Sequence, residues 1–441
     1  MNPRAKHRER LGQPEEWLVF GFLLVILLGA ALLSLPAAAR DGRGIGLFDG
    51  LFTAASAVCV TGLVAVDTGT TFAPFGQFVL LVLIQVGGLG FMVFATMILV
   101  MLGRKISIKG RMLIRESMNG SSLTDLGGLT RIYLLLALGI ELVGAALLSI
   151  RFVPVYGVRK GLWYALFHAV SAFCNAGFDL FGGFSSLTAY ARDPLVLLTV
   201  AALIVLGGLG FAVILETLRN RQGFRSMSLH ARIVLTSTLV LLIAGTVFFM
   251  LAERMDALNA LFQSVTLRTA GFNTVDLAAM KDGSKLFSAM LMAVGASPAS
   301  TGGGMKTTTV AVVAMLIMSV VKGDSEVNAS RRRLSGDVVR RALVVVTLFL
   351  TTLTLGTLSV TLIEDGRFTL ADILFECASA MGTVGVSSIG TPNLTAASRA
   401  VLIPMMFLGR VGPLTLAVAV ARRQGRYRGP SKYPEEKIMI G

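Results

Sequence analysis

Four short stretches carry the residues of this chain best suited to hold an ion. They read Val60-Thr61-Gly62-Leu63, Asn175-Ala176-Gly177-Phe178, Thr269-Ala270-Gly271-Phe272 and Thr383-Val384-Gly385-Val386. Their chemistry is that of the backbone. Glycine reaches φ and ψ values that other residues adopt only at a cost, so neighbouring carbonyls can turn towards a common centre. A ring of carbonyl oxygens can replace the hydration shell of a potassium ion. A phenylalanine precedes each glycine by 10, 10, 9 and 10 residues (Phe52, Phe167, Phe262, Phe375), and successive glycines lie 115, 94 and 114 residues apart. The apolar stretch before each loop is too short to cross a bilayer. As a half-helix it aims the partial negative charge of its C-terminal end at the loop, which favours a cation and disfavours an anion.

A second set of residues lies further along. Gly295-Ala296-Ser297-Pro298-Ala299-Ser300-Thr301-Gly302-Gly303-Gly304-Met305-Lys306-Thr307 interrupts a long apolar run. Pro298 removes a helix bond, and each of the three consecutive glycines costs a helix about 1 kcal/mol. Such a break at membrane depth must be buried in protein or line a water-filled path. Glycine motifs recur at Gly87-Gly88-Leu89-Gly90, Gly207-Gly208-Leu209-Gly210 and Gly409-Arg410-Val411-Gly412. Helix packing through small residues accounts for part of this pattern. Arg410 aligns with Gly88, Gly208 and Ala296, a guanidinium where the other three copies are small. It is expected to be a cation in the cavity below the loops, opposing a passing cation; the alternative is a structural ion pair on a buried helix face.

Charges near the loops are few. Asp67 and Asp276 each follow their loop glycine by five residues and are expected together at the outer mouth. Arg268, three residues before Gly271, is expected to point away from the axis and to pair with Glu376 or Asp372.

The elements that position these residues follow from hydropathy. Of the 441 residues 54% are hydrophobic and 15% charged, too little charge to cover a soluble surface of that size. Apolar runs at Trp17–Pro36, Phe75–Leu102, Ile132–Val153, Pro194–Leu218, Ile233–Leu251, Leu286–Val321, Val338–Ile363 and Ala400–Ala421 predict eight membrane crossings. No cleavable signal peptide is expected, because the first apolar run is too long for one. The fold class is all-α integral membrane, with four tandem helix–pore-loop–helix repeats around a central pore. Its parts are a tail at 1–16, repeats at 17–103, 130–219, 229–321 (with the interruption at 295–307) and 338–421, and a second tail at 422–441. Lys and Arg concentrate in both tails and in the connections 104–131, 219–232 and 322–341, which together hold 26 of the 40. The positive-inside rule makes that side, with both termini, cytoplasmic. The formal charge of +15 is thus a topology signal with some attraction to anionic lipid, and no nucleic-acid partner is expected.

Other function classes fit poorly. A membrane enzyme needs carboxylates, histidines or a nucleophile grouped at one depth. Glu141, Glu216, Asp372 and Glu376 are isolated and are expected to pair with arginines near helix ends. Cys59, Cys174 and Cys377 have no metal-ligand spacing, and an odd count argues against a full disulfide set. His168 is expected to be a satisfied core residue. No phosphate-binding loop of the Walker type is present. A receptor would not explain four return loops. The nearest rival is an ion-coupled secondary cation transporter, which also uses broken helices but often in inverted repeats. Here every repeat begins and ends on the same side.

The four loops and their flanking helices resemble the filter loops of the Trk/Ktr/HKT superfamily of potassium transporters, over essentially the whole chain. Only residues 1–16 precede the first run, and Lys432–Gly441 is similar to the tails of Ktr membrane subunits. The resemblance implies an ion-conducting potassium uptake subunit of the cell inner (plasma) membrane, and not an enzyme. It implies selectivity at Val60, Thr61, Gly62, Asn175, Ala176, Gly177, Thr269, Ala270, Gly271, Thr383, Val384 and Gly385, with potassium on backbone carbonyls. Glycine at position 62 favours potassium, since sodium-carrying relatives often have serine there. Residues 295–307 resemble the family's intramembrane gating loop, which makes Gly295, Ser297, Pro298, Thr301, Gly302, Gly303, Gly304 and Lys306, with Arg410, the expected gate. Also implied are a homodimer with one pore per protomer and a cytoplasmic ring of nucleotide-binding regulatory subunits of RCK type. No cofactor is expected in this chain itself; nucleotide belongs to the partner, and sodium is a candidate activator. Lys105, Arg111 and Arg331–Arg333 are candidate docking charges.

Overall fold

The computed structural model describes residues 14–90, 126–220, 222–324, 326–329 and 332–415. Both expected tails (residues 14–16 apart) and the connection 104–125, with Lys105 and Arg111, lie outside the described residues. So do Arg331, the second half of the run Phe75–Leu102 and the last residues of Ala400–Ala421.

The described residues are mostly helical, with one two-residue hairpin among them pairing Asn328–Ala329 antiparallel to Arg332–Arg333. The helices of more than four residues are α1 (Pro14–Leu33), α2 (Leu47–Val58), α3 (Pro74–Leu89), α4 (Leu126–Tyr156), α5 (Val158–Phe173), α6 (Pro194–Leu209) and α7 (Phe211–Arg219). They continue with α8 (Leu229–Ala252), α9 (Ala257–Thr266), α10 (Asp282–Ala293), α11 (Thr307–Lys322), α12 (Gly336–Glu364), α13 (Leu370–Gly382) and α14 (Ala396–Val411). The order long helix, short helix, loop, helix recurs along this series. The helices after the loops start at defined caps: Asp193 accepts from Leu195 N at 3.0 Å before Pro194, and Thr395 accepts from Ser398 N at 3.2 Å.

Three helices among the described residues are long and apolar enough to cross a bilayer alone: Thr130–Tyr156 within α4, α8 and α12. The pair α6–α7 is a fourth if its 100° bend is counted within one crossing. These long helices present Leu142, Val143, Ile243 and Leu362, each more than half exposed, to the surroundings. Such a surface is stable only against hydrocarbon.

Of the eight expected runs, one is seen to be broken. Pro194–Leu218 is not a straight helix but turns at Gly210, where φ is +89°. Gly90 and Gly412 carry the same conformation, φ +84° and +92°, at the ends of α3 and α14. A residue with a Cβ adopts that conformation only at a cost, and at Gly210 a Cβ would also lie 2.6 Å from the Pro298 carbonyl oxygen, so that glycine serves both the bend and a close contact. The first glycine of each motif does pack. Cβ atoms at Gly87, Gly207 and Gly409 would enter the carbonyl oxygens of Val58, Phe173 and Met381, the last turns of the neighbouring short helices.

Packing closes the arrangement on itself. Each short helix lies against the long helix before it: α2 on α1, α5 on α4, α9 on α8, and α13 on α12. Each helix after a loop packs on the next short helix, α3 on α5, α6 on α9, α10 on α13, and finally α14 back on α2. The core therefore surrounds the four loops, and Phe52, Phe167, Phe262 and Phe375 are all buried in it.

Candidate functional site

The four triplets read from the sequence are brought together at the centre. Val60, Asn175, Thr269 and Thr383, each two residues before its glycine, all have left-handed backbone, with φ of +55°, +59°, +82° and +52°. Gly62, Gly177, Gly271 and Gly385 follow at +91°, +69°, +86° and +96°. Left-handed backbone at non-glycine residues costs about 1–3 kcal/mol each and persists only where the surroundings enforce it. Here the same two conformations recur in four loops of different sequence.

Head-to-tail contact makes the four loops one ring. A Cβ on Gly62 would collide with the carbonyl oxygen of Ala176, and one on Gly177 would lie 2.8 Å from that of Ala270. One on Gly271 would lie 2.5 Å from the oxygen of Val384, and one on Gly385 would run into that of Thr61. The order is first to second, second to third, third to fourth and fourth to first. Only glycine lets the backbones approach so closely. The ring forms the floor of a cavity of ≈ 320 Å³ whose walls include Asp67, Asp179, Ser186, Asn273 and Ser387.

The short helices hold these loops through hydroxyl groups that the sequence reading overlooked. Gly62 N donates to Ser56 Oγ and Gly385 N to Ser379 Oγ, both at 3.0 Å. Ser171 Oγ donates to Phe178 O at 2.8 Å, and Thr266 Oγ1 to Phe272 O at 2.6 Å. In three loops the backbone N–H before the glycine reaches five residues back, from Thr61, Ala176 and Val384 to Ser56, Ser171 and Ser379. In the third loop Ala270 N reaches only four back, to Thr266 O at 2.9 Å, which absorbs the one-residue-shorter spacing. The signal was in the sequence, as serine six residues before the glycine in the first, second and fourth loops and threonine five before it in the third.

At the mouth, the acids differ from expectation. Asp67 lines the cavity but is engaged, accepting from Thr70 N at 2.7 Å and from Phe184 N at 2.8 Å. Asp276 is exposed, accepts from Ala278 N, and does not line the cavity. The second mouth carboxyl is Asp179, whose pKa burial raises to about 6, with the nearby Asp67 adding to the rise. The expected pairing of Arg268 is also absent. Asp372 is taken by Lys285 at 2.8 Å, and Glu376 accepts from Ser387 at 2.6 Å and Thr391 at 2.7 Å. Arg268 is buried, and its Nε has no hydrogen-bond partner. Nor do the other interior acids find arginines: Glu141 accepts from Gln85 at 3.0 Å, and Glu216 from Ser228 at 2.7 Å. Short hydroxyl and amide partners reach these carboxylates without another buried charge. His168 is a satisfied core residue, since Leu180 N donates to Nε2 at 3.4 Å and leaves Nδ1 to donate to Tyr164 O at 2.7 Å. Cys59, Cys174 and Cys377 are free and buried.

Directly beneath the ring runs the loop between α10 and α11. It is non-helical from Val294 to Lys306, as Pro298 and the glycines require. Ser297 N and Thr301 N donate to Gly208 O and Gly207 O at 3.0 and 3.1 Å, and Thr301 Oγ1 donates to Phe173 O at 2.9 Å. On the other flank Gly303 N donates to Thr383 Oγ1 and Gly304 N to Gly409 O, both at 3.1 Å. A Cβ on Gly302 would collide with Thr269, and one on Gly295 with the Gly303 carbonyl, so the loop has no room for side chains there. Lys306 folds back, its Nζ donating to Gly302 O at 2.7 Å.

Arg410 spans the same level. Its guanidinium donates to the Thr301 and Gly87 carbonyls and, at 3.0 Å, to Gly88 O. Its partners are backbone oxygens, not a carboxylate, so the ion-pair alternative does not describe it. From the fourth segment it thus grips the first and third, the neighbours on either side.

Fold and site together define an integral membrane protein of the α-helical class whose interior is organised around backbone carbonyls. The profile of the family described as TrkH, cation transport protein, matches residues 30–428. The Ktr system potassium uptake protein B of Bacillus subtilis (strain 168) is 41% identical over 440 residues, covering 97% of both chains. The potassium/sodium uptake protein NtpJ of Enterococcus hirae is 38% identical over 454 residues, covering 99% of both. In fold, the crystal structure of the potassium transporter TrkH from Vibrio parahaemolyticus superposes with a TM-score of 0.70 at 19% identity, over 93% of this chain and 86% of that one. The chain belongs to the TrkH/Ktr family of cation transport proteins, a family of membrane transporters and not of enzymes.

Proposed function

We infer that this chain is the ion-conducting subunit of a potassium uptake system, with four pore loops as its selectivity filter. The observation that carries the reading is the closed ring, in which each loop glycine abuts the carbonyl before the next glycine. Carbonyls of Thr61, Ala176, Ala270 and Val384 are then oriented by the same backbone geometry around one axis, as a dehydrated cation needs. Eight crossings in four parallel hairpins, with both termini cytoplasmic in the plasma membrane, complete the architecture. The names of the relatives support potassium as the ion, and one of them adds sodium.

The loop from Gly295 to Lys306 and Arg410 form the gate. Its hydrogen bonds to the second and fourth segments, and the arginine's grip on the first and third, support a closed arrangement beneath the filter. A guanidinium there opposes a passing cation. Since the loop is held by backbone bonds and not by a packed helix, it is the part of the interior that can shift most cheaply. The name of the Bacillus relative, a "system" protein B, supports a regulatory partner; a nucleotide-binding ring and a homodimer belong to this proposal.

The test is voltage-driven flux into proteoliposomes holding the purified chain, comparing potassium, sodium and choline. Potassium entry well above sodium supports the filter. Potassium entry that needs a sodium gradient, and does not follow voltage alone, would turn the reading to an ion-coupled transporter.

A further inference from the structure

A trough on the face between the first and second segments is lined by none of the four loop glycines. Its upper part, a cavity of ≈ 920 Å³, is lined by Arg40, Arg159 and Lys160 above an apolar wall of Phe78, Leu162 and Leu166. Among the described residues no Asp or Glu lines it. All three cations are exposed, and Phe78 and Leu162 are 55% and 51% exposed although the hydrophobic core lies close by. A second cavity of ≈ 220 Å³ shares Leu166 with the first and continues along Leu81, Val82, Leu138, Leu142 and Val170 to Gln85 and Glu141. Pro74 and Gln85, both on α3, mark its two ends, about 16 Å apart along a helix axis.

Position and charge argue for one occupant. Arg40 sits beside the start of α3, its Nε donating to Phe72 O at 3.1 Å, and Arg159 and Lys160 occupy the first turn of α5. Lys160 Nζ is also held over the rings of Tyr156 and Tyr164 at 5.5 and 5.2 Å. Both helices start on the side of the mouth, so the cations stand at the level of lipid head groups while the apolar wall descends into the hydrocarbon. Three cations with no carboxylate call for an anion, and a narrow apolar channel below calls for an alkyl chain.

We propose that this trough is a binding site for an anionic phospholipid of the mouth-side leaflet, its phosphate held by Arg40, Arg159 and Lys160 and one acyl chain lying against Phe78, Leu162 and Leu166. The chain end would reach Gln85 and Glu141, whose neighbour Cys174 lies 3.6 Å from Gln85 beside the ring. Occupancy would thus press on a residue next to the carbonyls that hold Arg410.

Trp163 reports the site directly, since it lines the trough and its Nε1 donates to Gln77 at 2.9 Å. The chain has two tryptophans, so Trp17→Phe leaves Trp163 as the one fluorophore. The full chain is reconstituted in vesicles containing brominated phosphatidylglycerol or brominated phosphatidylcholine, and quenching is read. Half-maximal quenching is expected at about fivefold lower mole fraction of the anionic lipid for each cation engaged. Arg159→Gln with Lys160→Gln, both at exposed positions, should erase most of that preference while leaving the elution profile of the protein unchanged. Arg40→Gln should remove the remainder. Equal quenching by both lipids, or a preference that survives the double variant, overturns the proposal. So would rapid disulfide cross-linking of Leu162→Cys between protomers, which would assign the trough to a second copy.

Discussion

At the scale of single residues, the ring depends on glycine where a methyl group has no room. Gly385→Ala puts a Cβ into the Thr61 carbonyl at a φ of +96°. A distortion worth about 1.4 kcal/mol changes an equilibrium tenfold. Potassium-over-sodium selectivity should therefore fall at least about tenfold, read as competing flux. Ser379→Ala is gentler, because it removes one bond to Gly385 N, worth about 1 kcal/mol or a fivefold loss of selectivity with folding kept. Arg410→Ala removes the cation beneath the ring and should raise potassium flux about tenfold, a barrier change of roughly 1.4 kcal/mol; unchanged flux would take the gate from this residue. At the mouth, the raised pKa of Asp179, about 6, fixes a sign. The carboxyl is charged above that value and neutral below it, so cation entry at low concentration should decline as external pH falls from 7.5 to 5. Asp179→Asn should start lower and flatten the profile.

Helices and loops decide what those residues can do. Much of this level was legible beforehand, and the reason is repetition. Four glycines in near-constant register grouped the loops that the structure brings together, and Pro298 with three glycines marked a segment that is in fact non-helical. Other features were hidden because they depend on partners distant in sequence. Gly90 and Gly88 sit in one motif, yet one takes a φ of +84° and the other would meet Cys174 Sγ at 2.5 Å if it carried a Cβ. Nothing local separates those roles. Likewise Asp372 was matched to an arginine on charge alone, whereas Lys285 from α10 reaches it first. That partly buried pair ties α10 to α13, so Lys285→Met should lower stability by about 1.5–3 kcal/mol by taking the cation from Asp372 while Thr369 and Ser388 still donate to it. A thermal melt in detergent measures it, and a melting temperature within a degree of the parent would contradict the assignment.

Over the whole molecule, the same physics sets orientation. Basic residues gather in alternate connections, and the long helices turn their apolar sides outward, so the bilayer both orients the chain and seals the ring's periphery. With three native cysteines buried, single cysteines introduced at Arg225 and Gly183 can be labelled selectively. In intact cells an impermeant maleimide should reach Gly183→Cys and not Arg225→Cys. The closure of α14 onto α2 explains why a single chain suffices to complete the ring.

The central claim is that the carbonyls of Thr61, Ala176, Ala270 and Val384 are the ligands of the transported ion. It is tested most directly by anomalous scattering from crystals grown with thallium in place of potassium. A peak is expected on the axis, equidistant from the four oxygens, that excess potassium abolishes and excess sodium does not. Thallium bound elsewhere on the protein, with an empty ring, would contradict it.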